Sequence, residues 1–298
     1  MKCLVTGASG FVGDSLVSKL LNLGFEVVAI SKSGGFTSKG QVIHSIDFVC
    51  ETIPISLYSN VDIVYHLAGI AHQRAVAEEY EKINFAATIK LAEQAYACAV
   101  PKFVFLSSVN ANIGSADCSK LVDPYADSKK RAENELEKQF LDSKMAVEIV
   151  RSALVYGEGM KGNLSDLIRA VERGLPRPPD VGARNMIWLN DLVSFLILVG
   201  SEPGDGVRKF VVTDGEVYSF SRIYDAIRSI CDREKANSWL PLSVWSVMAL
   251  LNDLFRRLPV GTTFNKLFSH QVFDSSHLRN WEVTISFEDA IEKILSSR

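Results

Sequence analysis

The chain has 298 residues, 47% of them hydrophobic and 22% charged, with a formal net charge of −3. That is apolar material for one large core, or for a large unit with a smaller partner. The near balance of charge argues against a nucleic-acid binder, which needs a basic face to meet phosphates. Five scattered cysteines (Cys3, Cys50, Cys98, Cys118, Cys231) form no CxxC, and five histidines (His44, His66, His72, His270, His277) form no HExxH-like group. Neither a disulfide framework nor a metal site is expected, and reduced thiols in a reducing compartment are the simpler account. The N-terminus opens directly on "MKCLVTGASG", without an apolar run of signal-peptide length, so the expected location is the cytoplasm.

In chain order, "CLVTG" reads as a strand and Phe11 to Leu23 as an amphipathic helix. "EVVAIS", "QVIHSI", "VDIVYHLAG", a helix over Glu78–Val100 and "KFVFLSS" follow. Next come a helix from Pro124 to Leu141 and the run "AVEIVRSALVYG". Nearly continuous apolar strands alternating with helices predict an α/β fold, a doubly wound parallel sheet covered on both faces. After Tyr156 the alternation weakens into glycine- and proline-rich loops and four further helical patterns, Asn190–Val199, Ser219–Cys231, Leu242–Arg257 and Ser286–Ser296. The expected division is a Rossmann-type domain over 1–156 and a smaller, mostly helical lobe over 157–298, with some strands returning to the main sheet.

Within the first strand–turn–helix, "VTGASGFVG" places Gly7, Gly10 and Gly13 where a dinucleotide-binding fingerprint needs them. Gly7 permits the tight turn, Gly10 the approach of backbone to a pyrophosphate, and Gly13 close packing of helix on strand. Ser9, Phe11 and Val12 complete the turn, whose amides at the helix start hold the anion. At the end of the second strand an NAD-preferring site usually carries a carboxylate. Here Ser31, Lys32 and Ser33 stand instead, which would accept a 2′-phosphate, so NADP(H) is expected, with NAD(H) as the alternative.

"DPYADSKKRAEN" holds Tyr125 and Lys129 four residues apart, on one helix face. Asp123 fits the N-cap and Pro124 the first helical position. The run Lys129-Lys130-Arg131, followed by Glu133, Glu135 and Glu137, reads as part of a solvated, charge-paired face. A phenol of pKa ~10 needs about 4 kcal/mol to titrate near ~7. An ammonium roughly 4 Å away supplies about that much at an effective dielectric of ~20.

These motifs together resemble the extended short-chain dehydrogenase/reductases of the NAD-dependent epimerase/dehydratase type. The GxxGxxG turn, "HLAG" (His66–Gly69), "FLSS", YxxxK, "VYGEGMKGN" and "VFDSSHLRNWEV" carry the likeness over most of the chain. The resemblance implies a catalytic set of Ser108, Tyr125 and Lys129, with Lys129 also holding the nicotinamide ribose. It adds Leu67, Ala68 and Gly69 to the cofactor site, and places Asp47 near the adenine, where the plainer alternative is a turn cap. On the substrate side it implies Ser107, Ser108, Asn110, Asn163, Leu164 and Arg184. An N-cap at Asn163 and a surface charge at Arg184 are the alternatives there.

"FLSSVNANIG" and the glycine-rich segment look closest to enzymes acting at C4 of nucleotide-activated hexoses in surface-polysaccharide synthesis. Dehydratases of the group carry an Asp-Glu pair where this chain reads Val109-Asn110, so dehydration is not expected. A 4-ketoreductase is expected, with a 4-epimerase retaining NAD as the alternative and a non-catalytic NADP-binding regulator as a further one. The resemblance also implies a homodimer through the helices around Glu78–Val100 and Pro124–Leu141. "LPLSVWSVMALLNDLF" (Leu240–Phe255) is too short to span a bilayer. It reads as a lid or core helix of the lobe, or as an interfacial helix followed by Arg256-Arg257.

Overall fold

The structure, a computed structural model, describes residues 1–71, 75–112, 123–160, 163–231, 240–257, 260–276 and 281–296. His72, Cys118 and His277 lie outside them, as do Ile113-Gly114 and Lys161-Gly162 of the quoted motifs. Two compact units emerge: Met1–Ser152 with Leu189–Val212 and Ser276–Trp281, and the remainder, Ala153–Trp188, Thr213–Ser275 and Glu282–Arg298.

The first unit is built on an eight-stranded sheet. Its elements are β1 (Lys2–Thr6), α1 (Phe11–Asn22), β2 (Glu26–Ser31), β3 (Gly35–Phe36), β4 (Val42–Ser45), β5 (Ile63–His66), α2 (Ala77–Tyr80), α3 (Ala87–Ala97), β6 (Lys102–Ser108), α4 (Pro124–Phe140) and β7 (Ala146–Ser152). Two later segments, α6 (Leu189–Ser201) and β11 (Val207–Val212), return to it. The strand order is β11-β7-β6-β5-β1-β2-β4-β3, parallel throughout except where β3 meets β4. From β1 the chain winds outward through β2 and β4, then returns to β5 on the other side. The carboxyl ends of β1 and β5 therefore form the topological switch point, where such sheets bind ligands.

Strand alternation sorts the core. Leu4, Val64, Phe103, Phe105 and Ile149 bury with Ile89 and Leu91 of α3 and Leu136 and Phe140 of α4. Tyr65, one residue on from Val64, meets Gly200 of α6 instead, so α6 covers the opposite face. All seven residues of β7 are buried, Glu148 and Arg151 among them. Burial of Glu148 is offset by Lys102, 3.4 Å away, and Arg208, 2.6 Å away.

The second unit holds two short parallel pairs, β8 (Leu154–Tyr156) with β10 (Met186–Trp188) and β9 (Ala183–Arg184) with β12 (His270–Gln271). Around them lie α5 (Asn163–Glu172), α7 (Phe220–Ile230), α8 (Leu242–Arg256), α9 (Thr262–Phe268) and α10 (Phe287–Ser296). Tyr156, Trp188, Tyr218, Tyr224 and Phe287 form its aromatic core. A bidentate Arg177–Asp225 pair, at 2.8 and 2.7 Å, ties the proline-rich loop to α7. The apolar run read as one strand, "AVEIVRSALVYG", breaks at Ala153 because its two halves find different partners, β6 and β11 for one and β10 for the other. No helix among the described residues is long and apolar enough to cross a membrane.

Gly200 offers a stability test. A Cβ there would sit 2.8 Å from the ring carbon bearing the Tyr65 hydroxyl, and that hydroxyl is buried with no hydrogen-bond partner among the described residues. Gly200→Ala is expected to destabilise by about 1–3 kcal/mol through overpacking, despite the better helix propensity of alanine. Tyr65→Phe is expected to be near neutral alone and to relieve the penalty in the double variant, as read from urea midpoints.

Candidate active site

At the end of β1 the backbone turns at Gly7 with φ +71°, and the Gly10 amide donates to the Gly7 carbonyl at 2.9 Å. A Cβ on Gly7 would lie 2.7 Å from the Ala68 amide nitrogen, and one on Gly13 would collide with the Gly7 carbonyl oxygen. Two backbone segments, the glycine turn and Leu67–Gly69 after β5, thus meet where side chains would separate them. Ser9 and Gly10 are exposed and Phe11 and Val12 half-buried, at the start of a twelve-residue helix whose first amides have no acceptor within it. Exposed backbone donors at a helix start, with glycines clearing the approach, fit a pyrophosphate.

The second wall of the site comes from α4. Asp123 caps it, accepting from the Tyr125 amide at 3.1 Å, and Pro124 occupies its first position. Tyr125 stands half-buried in the first turn, its ring 6.0 Å from that of Tyr80. One turn further in, Lys129 is buried; its Nζ donates to the Leu106 carbonyl at 2.9 Å and lies 4.5 Å above the Phe105 ring. Burial pushes the Lys129 ammonium down to about 8, and the Glu133 carboxylate pulls the other way. Ser108, at the end of β6, is hydrogen-bonded to the Tyr125 hydroxyl and accepts from the Asn110 amide at 3.2 Å.

The phenol itself departs from expectation. Burial holds Tyr125 above the ordinary tyrosine range, opposed by Ser108 and aggravated by the Asp123 and Tyr80 charges. Lys129 does not offset this, because its ammonium is directed at Leu106 and Phe105. Being one turn apart puts two side chains on one face without making them partners.

The charged run of α4 also divides. Lys129 and Glu133 turn inward and are buried, whereas Arg131 pairs with Glu81 and Glu137 with Lys209 at the surface. Glu133 accepts from Arg151 Nη2 at 2.5 Å and Nε at 3.0 Å, and from the Ser107 hydroxyl at 2.5 Å. The Ser107 hydroxyl is thus directed into this buried pair, on the strand face opposite to Ser108.

Further participants went unrecognised in the sequence. The helix read as one piece over Glu78–Val100 contains a π-helical stretch, Glu81–Ala86, with Asn84 buried inside it. Asn84 Oδ1 accepts the Ile70 amide at 2.8 Å, and its Nδ2 donates to the Ile70 carbonyl at 2.9 Å and to Ser128 Oγ at 3.3 Å. His66 lies between Thr6 Oγ1, 2.7 Å from Nδ1, and Thr88 Oγ1, 2.9 Å from Nε2. Thr88 donates its own proton to the Asn84 carbonyl at 2.8 Å, so His66 must donate from Nε2 and accept at Nδ1 from Thr6. Burial, with Lys129 adding to it, drives this imidazole down to about 3, so it stays neutral. A polar Asn-x-x-x-Thr spacing inside an apolar helix was the available signal for Asn84 and Thr88. A Lys-x-x-x-Glu continuing the Tyr-x-x-x-Lys face was the one for Glu133.

Beyond the end of β2, Lys32 is exposed and paired with Asp47 at 2.8 Å. Each raises or lowers the other accordingly: the Lys32 ammonium is held above its ordinary range by that hydrogen bond, and Asp47 below the usual carboxylate range. Ser31 is buried, with its hydroxyl 3.4 Å from that of Ser33. Asn110 is half-buried on the turn after β6. Asn163, Leu164 and Arg184 belong to the second unit, where Leu164 packs on the aromatic core. Arg184 is half-buried on β9, its guanidinium pushed down by burial.

Comparison with known proteins places these features. Residues 3–212 match the model of the NAD dependent epimerase/dehydratase family. A UDP-glucose 4-epimerase from Vibrio cholerae is 31% identical over 267 residues, 81% of this chain and 79% of that one. A UDP-2-acetamido-2,6-beta-L-arabino-hexul-4-ose reductase from Pseudomonas aeruginosa is 26% identical over 65% of this chain and 48% of its own length. Among solved structures, a UDP-glucose 4-epimerase from Thermotoga maritima with UDP-glucose superposes with TM-score 0.76 at 20% identity, covering 100% of this chain and 98% of that one.

The Glu133–Arg151 pair generates a test. Glu133→Gln leaves a buried guanidinium without its carboxylate and is expected to destabilise by about 3–5 kcal/mol. Glu133→Gln/Arg151→Met is expected to regain most of that loss, as measured by chemical denaturation.

Proposed function

The chain belongs to the NAD-dependent epimerase/dehydratase family, and on that premise we propose that it transfers hydride at C4 of a nucleotide-activated hexose, as a UDP-hexose or UDP-N-acetylhexosamine 4-epimerase retaining NAD. The observation that carries the reading is the convergence at the carboxyl edge of one sheet of Ser108 bonded to Tyr125, the buried Lys129, and the Gly7–Gly13 turn. A non-catalytic regulator has no use for that proton-transfer set.

In this mechanism Tyr125 removes the proton of the sugar O4 hydroxyl while Ser108 donates to the same oxygen and steadies its charge. Lys129, anchored by Leu106, directs its remaining N–H groups to the nicotinamide ribose. When bound, the oxidised cofactor would supply an acceptor that holds the C4 hydride and gives it back to the same carbon, and a positive charge that Lys129 does not direct at the phenol. Tyr125 then returns the proton after the keto-sugar has presented its other face. Gly7, Ser9, Gly10, Phe11, Val12 and Gly13 would hold the pyrophosphate, and Leu67–Gly69 would line the nicotinamide side. Asn110, Asn163, Leu164 and Arg184 are the proposed contacts to the nucleotide sugar; a guanidinium suits its diphosphate.

The Lys32–Asp47 pair supports placing NAD ahead of NADP. A lysine already neutralised by a carboxylate is a poor receptor for a 2′-phosphate, and it brings a negative charge to that end of the site. This supports NAD and the epimerase, as does the extent of the match to the Vibrio enzyme. The second reading, a 4-ketoreductase exchanging NADPH, draws on the serines at the end of β2, where no acid stands. Either activity suits the sugars of surface polysaccharides. The described free thiols Cys3, Cys50, Cys98 and Cys231 suit a cytoplasmic setting, and α3 with α4 is the proposed dimer face.

Protein purified without added cofactor is expected to release NAD, not NADP, on denaturation; cofactor-free protein that turns over only with NADPH and a 4-keto sugar would reverse the order. Tyr125→Phe is expected to lower turnover by about 10²–10⁴-fold with cofactor affinity retained. Cofactor affinity is expected to fall as pH rises through about 8, where Lys129 gives up its proton, and Lys129→Met should remove that dependence.

A further inference from the structure

We propose that the outward face of α8 docks this protein on the surface of an anionic lipid bilayer. The inward face of the helix is a core element: Trp245, Ala249 and Asp253 are buried, and the Trp245 ring lies 5.8 Å from Phe220 and 6.3 Å from Phe268. The outward face is different. Val244, Val247, Met248, Leu251, Leu254 and Phe255 recur at i, i+3, i+4, i+7, i+10 and i+11, a single stripe along the axis, and all are exposed. Phe255 is 90% exposed, and Val260 just beyond the helix 74%. This is a continuous apolar surface of the kind that marks an interaction site.

The helix's own polar groups say what covers it. Ser246 donates to the Leu242 carbonyl, Asn252 donates to the Thr263 hydroxyl, and Asp253 accepts from the Thr263 amide and hydroxyl. These three side chains are spent within the unit, on α8 itself or on α9, and the exposed Ser243 lies in the first turn, ahead of the stripe. Among the described residues the exposed part of α8 carries no charged side chain. Protein interfaces make about one hydrogen bond per 100–200 Å²; hydrocarbon makes none, and neither does this stripe. Arg256-Arg257 follow at once, and Arg257 is exposed in a left-handed turn at the helix end. An apolar stripe ending at the exposed Arg257 matches the acyl–headgroup boundary of an anionic leaflet, apolar residues below and a cation at the phosphates. With 15 residues at ~1.5 Å each, α8 lies in that plane and does not cross it. The chain's net charge of −3 opposes approach to an anionic surface as a whole, so the attachment is local to this helix. It stands independently of the catalytic reading.

The test is flotation of the full chain with vesicles of phosphatidylglycerol and phosphatidylcholine in equal parts, beside vesicles of phosphatidylcholine alone. Wild type is expected to float with the anionic vesicles, more weakly with the neutral ones, and less well at high salt. Leu251→Glu/Phe255→Glu is expected to reduce flotation by about tenfold or more, and Arg257→Glu by a few-fold. All three side chains face outward, so the unfolding midpoint should hold, and a variant with a shifted midpoint is replaced by Leu254→Gln read against the same control. Wild type that stays in the aqueous fraction, or a double variant that floats equally well, overturns the proposal. So does equal, salt-insensitive binding to both vesicles. A dimer in sedimentation analysis that Leu251→Glu dissociates would assign the face to a second copy of the chain instead.

Discussion

Everything at the candidate site rests on a carboxylate buried two turns inside α4. Glu133 is fully buried, and its two oxygens are shared between the Arg151 guanidinium and the Ser107 hydroxyl. The pair adds little net stability over well-packed apolar groups, yet its geometry is demanding, because each charge needs the other. It locks α4 in rotation and in register against β6 and β7. With Glu133 fixed at that depth, Lys129 must lie one turn nearer the sheet's carboxyl edge and Tyr125 one turn nearer still. The depth at which Lys129 sits, against Leu106 and Phe105, then brings its pKa down to about 8.

A second buried network works from the opposite wall. The directional chain from Ala68 through Thr6, His66 and Thr88 to the Asn84 carbonyl passes behind the glycine turn. It fixes the imidazole in one tautomer and keeps it neutral beneath a site that must also tolerate the Lys129 charge. The π-helical stretch at Glu81–Ala86 places Asn84 where it bonds both polar groups of Ile70 and reaches Ser128. Such an inserted turn weakens a helix locally and is found mostly where a side chain has to be aimed. A Cβ at Gly69 would press on the same network, 3.0 Å from Asn84 Oδ1 and 3.4 Å from Lys129 Nζ.

Much of this was legible in the residues. The alternation of β-branched runs with helical spacing announces a parallel sheet, because strands buried on both faces cannot afford polar positions. Gly7 and Gly13 announce the turn, since a Cβ at either would collide with backbone. Asp123-Pro124 announces the start of α4, and the structure agrees to the residue. The lysine–glutamate run after Tyr125 misled because surface pairing and buried pairing share one spacing. Only Arg151, eighteen residues further along on another element, distinguishes them.

What the sequence by itself determined is whatever depends on neighbours along the chain: helix and strand periods, caps, and turns that require glycine. Tertiary structure alone decided which charges meet. Lys32 found Asp47, Glu133 found Arg151, and Lys129 was drawn from Tyr125 toward a carbonyl and an aromatic face. An electrostatic partner is set by distance through space and by the solvent excluded there, and neither quantity is written in sequence separation.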